Sequence, residues 1–107
     1  MPTPSLDDYL QMRVVLDTSG AMLFIGQLVA VSERGYWLAE ADVHDRDEAH
    51  STNEQYVNDA CLLERSGERH ANRRRVFVER AAVVSISALD DVIADGQPPE
   101  DPARWNP

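Results

Sequence analysis

Residues 22–32, MLFIGQLVAVS, carry apolar side chains at nearly every position and a glycine near their centre. Read as a strand, the run places Phe24, Leu28 and Ala30 on one face and Leu23, Ile25, Val29 and Val31 on the other, so neither face expects water. A strand that must be covered on both sides, with Gly26 where a side chain would obstruct a bend, belongs in a small and sharply curved sheet. The rest of the chain is organised around it.

Upstream, RVVLDT (13–18) is rich in β-branched residues, and Ser19-Gly20 supplies the turn of a hairpin. Downstream, SERG is a tight connection in which Gly35 is free to adopt positive φ, and YWLAEADVH returns as a third strand. After His44 the pattern changes. DRDEAHST is polar, Thr52 or Asn53 can cap, and Tyr56, Val57, Ala60 and Leu63 recur at helical spacing until Gly67 ends the run. The strand pattern resumes as RVFVER, breaks at Ala81-Ala82 and continues as VVSIS, giving five strands in all. At the amino end Ser5 caps a short helix in LDDYLQM, with Asp7 and Asp8 at its positive end. SALDDVIAD forms a last helical turn, and GQPPEDPARWNP is too rich in proline and acid to bury a core. The expected organisation is a single domain over residues 1–95, with a loop and helix inserted at 45–72, and a disordered, inert tail over 96–107 that includes Trp105.

The charge pattern narrows the function. Nineteen Asp and Glu face ten basic residues, all of them Arg, for a formal net charge of -9, which opposes long-range attraction to a polyanion. The amino terminus lacks a basic start followed by an apolar run, and no stretch approaches the roughly 18 apolar residues of a membrane span, so a cytoplasmic protein without membrane contact is expected. The single Cys61 can form neither an internal disulfide nor a redox pair, and it reads as a small buried hydrophobe. With no GxSxG, phosphate-cradling glycine loop or HExxH, neither an enzyme nor a cofactor is expected. Asp42 and His44 share a strand face and, with His50, are the candidate metal ligands. Their spacing fits no established ligand motif, and a solvated acidic loop accounts for the composition equally well.

A short amino-terminal helix, three consecutive strands with a glycine in the second, a variable segment and two short strands together resemble the layout of Sm-like (LSm-type) proteins. GQLVAVSERGYWLAEA is similar to the first Sm motif through Gly26, Leu28, Val31, Trp37 and Leu38, and VERAAVVSI to the second through Val78, Val83 and Ile86. The resemblance spans roughly residues 5–44 and 74–88 and implies a mainly β fold: a small five-stranded bent barrel with a short amino-terminal helix and a helix inserted after the third strand. It also implies a homo-oligomer, typically a ring joined edge strand to edge strand, and binding of uridine-rich or adenine-rich RNA. At the RNA-contacting positions of such proteins this chain departs. Ser32 stands where the motif has Asp, no Asn falls in register in the following turn, and Glu79-Arg80 replaces the Arg-Gly pair.

One basic stretch remains. Between Glu64 and Arg80 there are six Arg and three Glu, a local excess of three positive charges centred on the triplet Arg73, Arg74, Arg75. Strand alternation sends Arg73 and Arg75 to one face and Arg74 to the other. Tyr36, Trp37 and Phe77 lie nearby, but as strand residues their default role is core packing. The acidic balance and the altered RNA positions favour an oligomeric scaffold or binding module for a protein or peptide. RNA binding through a modified site of Arg73, Arg74, Arg75 and Arg80 is the alternative.

Overall fold

The computed structural model describes residues 5–48 and 52–93. Five strands, β1 (Arg13–Thr18), β2 (Met22–Val31), β3 (Gly35–Asp45), β4 (Arg73–Glu79) and β5 (Val83–Ala88), form one antiparallel sheet in the order β4-β3-β2-β1-β5. Consecutive strands β4 and β5 therefore lie at opposite edges, yet only Arg80–Ala82 connects them. In a flat sheet four inter-strand spacings would separate those edges by about 19 Å. The four Cα steps from Glu79 to Val83 reach at most about 14 Å. The sheet must curl until its edges approach at one end, which makes it a small bent barrel.

Gly26 permits the curl. A Cβ there would lie 3.0 Å from the Ala39 carbonyl oxygen and 3.1 Å from the Ala41 Cα, so β2 and β3 could not approach as closely as they do. Two register shifts mark the same bend, one between Ile25 and Gln27 and one between Leu28 and Ala30. The first inserts an extra residue on β3 around Glu40, which sits at φ 48°; the second inserts one on β2 at Val29. Each shift reverses the parity of the side chains beyond it. Strict alternation would send Val31 to the face opposite Leu28, but Val31 packs with Leu28 on the inner face.

The inner face is lined by Val14, Leu16, Leu28, Tyr36, Leu38, Ala41 and Val78, and Leu6, Tyr9 and Leu10 pack onto it. These last come from the amino-terminal segment, a single 3-10 turn over Leu6–Tyr9 that Asp8 closes by accepting a 2.8 Å hydrogen bond from the Ser5 amide. The outer face carries a second apolar cluster, Val15, Leu23 and Ile25, beneath the helix α1 (Asn53–Ser66) and Leu89. Thr52 caps α1 by accepting from the Gln55 amide at 3.1 Å, and Gly67 ends it in the left-handed region at φ 77°. The docking stripe is Tyr56, Val57, Ala60 and Cys61. Leu63 stands at the margin, 40% exposed and outside the docked cluster. Cys61 is indeed a buried small hydrophobe, 1% exposed. No helix among the described residues is long and apolar enough to cross a membrane.

Candidate functional site

The first candidate region is the end of the barrel where the two motif turns meet. Ser32 closes the β2–β3 turn, its hydroxyl accepting from the Gly35 amide at 3.3 Å. Arg80 donates its backbone N–H to the Arg34 carbonyl at 2.7 Å, tying this turn to the β4–β5 connection. Gly35 pairs with Glu79, and its φ is not positive. Its requirement is proximity: a Cβ would fall 2.1 Å from the Val78 carbonyl oxygen and 2.8 Å from the Phe77 ring. The structure thus gathers Ser32, Glu33, Arg34, Glu79 and Arg80 at one end, two acids against two bases. Such a set has no net attraction for phosphate.

The second region is the arginine strand. Arg73, Arg74 and Arg75 are all exposed on β4. Val76 and Val78 turn to the inner core, so the pleat leaves Arg73, Arg75, Phe77 and Glu79 on the outer face and Arg74 on the other. Register sets Phe77 against Trp37 and Arg75 against Ala39. Trp37 does not take the core role expected of it. It is 41% exposed and packs at the sheet surface on Phe77, the ring centroids 5.1 Å apart and tilted by 56°. The alternation signal for this was present: Leu38 and Tyr36 are buried, so their neighbour between them must face outward. Val29, Ala30, Trp37, Ala39 and Arg75 line a shallow depression of about 330 Å³ here.

The third region is buried and polar. Asp42 and His44, 3% and 4% exposed, lie on the outer face of β3 under α1, sharing a face as expected. Arg69 donates through Nη1 to the Asp42 carboxylate, through Nε to Glu64 Oε2 at 2.9 Å and through Nη2 to the Glu40 carbonyl at 3.0 Å. Glu64 Oε1 accepts from Arg13 Nε at 3.1 Å, and Arg13 also reaches Gln27. Burial by itself lowers the Arg69 pKa, but its hydrogen bonds to Asp42 and Glu64 outweigh that, and the net shift is upward. His44 stacks on Tyr56 at 4.1 Å, and its Nε2 has no hydrogen-bond partner among the described residues. Burial, followed by the nearby Asp42 charge, raises the Tyr56 pKa above its usual 10.0.

Asp42 is thus committed to Arg69, and His50 lies outside the described residues. Among the described residues no group of three or more His, Cys, Asp or Glu side chains is placed to hold a metal ion. A cleft of about 240 Å³ opens beside Asp42, Tyr56, Asp59, Leu63, Arg69 and His70. No local sequence signal predicts the Arg13–Glu64–Arg69–Asp42 chain, since Arg13 and Glu64 stand 51 positions apart and Asp42 and Arg69 27.

Comparison with known proteins places this architecture. The structure is similar to a Pyrococcus abyssii Sm protein solved in complex with a uridine heptamer, with a TM-score of 0.53 and 16% identity over 80% of this chain and 99% of that one. It is similar also to a chain from a crystal structure of the NatC complex bound to CoA, with a TM-score of 0.52 and 18% identity over 85% of this chain and 91% of that one. No protein-family model and no curated protein matches the sequence. The curled five-stranded antiparallel sheet defines the class, a small bent β-barrel. Within that class the chain has the Sm-like fold.

Proposed function

We propose that the protein is a non-enzymatic, cytoplasmic Sm-like binding module that assembles with copies of itself through its sheet edges, in a ring, and holds a protein or peptide partner. The observation that carries this reading is that, among the described residues, β4 and β5 each pair on one side only. Each leaves a row of backbone N–H and C=O groups for which a strand of another copy is the natural partner. The solved chain within the NatC complex is an example of this fold working inside a multi-protein assembly. Light scattering over a range of concentrations and at two salt strengths tests the assembly. The expected result is a constant mass of several 12.0 kDa subunits. A monomer at every concentration would overturn it.

RNA binding is the second reading, supported by the exposure of Arg73, Arg74 and Arg75 and by the uridine heptamer in complex with the Pyrococcus abyssii Sm protein. Under it, oligouridine binds with an affinity that falls as salt rises, and replacing the three arginines by Ala weakens binding. No binding at low salt removes this reading.

A further inference from the structure

The surface beside the arginine strand has the composition of a recognition site. Trp37 and Phe77 form a tilted aromatic pair on the outer face, with Val29, Ala30 and Ala39 around them. A large exposed aromatic beside small apolar residues is the usual anchor pocket of a protein interface. The cations next to it are uncommitted. Arg13, Arg46 and Arg69 have carboxylate partners, but among the described residues Arg73, Arg74 and Arg75 have none. The Arg73 guanidinium donates to the carbonyl of its neighbour Asn72.

Charge decides what fits. A nucleic acid needs several phosphates neutralised along one track, and this face offers two arginines, Arg73 and Arg75, with Glu79 on the same row. Two guanidiniums beside an aromatic anchor suit a ligand with one or two carboxylates and an apolar side chain. We propose that this shelf docks an acidic peptide segment of a partner protein, with an apolar residue against Trp37 and a carboxylate on Arg75. The inference rests on the binding-module reading and names that module's partner chemistry.

A random dodecamer peptide library, selected on the full chain and counter-selected on the Trp37→Ala/Arg75→Glu double variant, tests it. Selected peptides should carry Asp or Glu next to a Leu, Ile, Phe or Trp. A synthetic copy of the selected peptide should bind the Trp37→Ala and Arg75→Glu variants at least about tenfold more weakly than the parent chain. Replacing its acids by Lys should restore binding to Arg75→Glu alone, an exchange that a misfolded variant could not give. Enrichment of basic or purely apolar peptides, no enrichment, or equal binding to the variants overturns the proposal. So does displacement of the selected peptide by oligouridine at a lower concentration than unlabelled peptide requires, which would make the occupant nucleic acid. A fall in solution mass for Arg75→Glu would make it a second copy, and tighter peptide binding on deletion of residues 96–107 would make it the chain's own tail. A constant multi-subunit mass with no selected peptide would sink the shelf and leave the assembly reading standing.

Discussion

The outer face of the sheet is two surfaces in one. Over Val15, Leu23 and Ile25 it is closed by α1, and over Val29, Trp37, Ala39 and Phe77 it lies open, although β2 runs through both halves. Between them runs a polar seam, Gln27, Arg13, Glu64, Arg69 and Asp42, which fastens the last turn of α1 and the segment after it to the sheet. The closed half contains fully buried side chains, and the open half contains an exposed Trp beside unpaired arginines. The outer face therefore divides by what the chain supplies to cover it: fourteen residues of helix protect one end and leave the other exposed.

The largest expected effect separates the two halves directly. Ile25→Ala empties a site of 0% exposure and should cost about 2–5 kcal/mol in chemical denaturation. Trp37→Ala, on the open half, should cost less, about 1–2 kcal/mol, from its pairing with Phe77 and its partial burial. Equal costs would mean that the shelf is core and would dissolve the distinction. The seam comes next. Asp42→Ala leaves Arg69 charged and buried, its side chain only 5% exposed, and should cost about 3 kcal/mol, near the lower end for a broken buried pair because Glu64 still meets Arg69. A cost under about 1 kcal/mol would show that the seam is solvated.

The smallest effect concerns Tyr56, where the helix meets the seam. Its folded-state pKa is raised, so its contribution is complete below 10.0 and is lost as pH rises from there through the folded value, since only the unfolded chain can ionise it readily. Arg69, whose pKa is also raised, keeps its charge across that window. Denaturation midpoints at pH 8 and pH 11 should fall more for the parent chain than for Tyr56→Phe. Equal slopes would place the hydroxyl in water.

Much of this fold is legible from residue pattern alone. The two-sided run 22–32 demands cover on both faces, Gly26 marks the bend, Gly67 ends the helix, and the interruption at Ala81-Ala82 divides the last two strands. These features depend on local chemistry, through backbone sterics and the period of apolar side chains. The grouping of Ser32 and Arg34 with Glu79 and Arg80 follows from strand pairing, because the β2–β3 turn and the end of β4 must meet. Other features required the assembled sheet. The extra residue near Glu40 turns Trp37 and Ala39 to the same side as Asp42 and His44, although their numbers differ in parity. That one insertion decides that Trp37 shares an outer face with the seam and that Asp42 lies under the helix to receive Arg69. A bulge is a compromise between two strands. Its position is set by how β2 and β3 bend around a shared core, and for that reason sequence determined the strands and their glycines, while only the tertiary structure decided which half of the outer face is closed and which is left open.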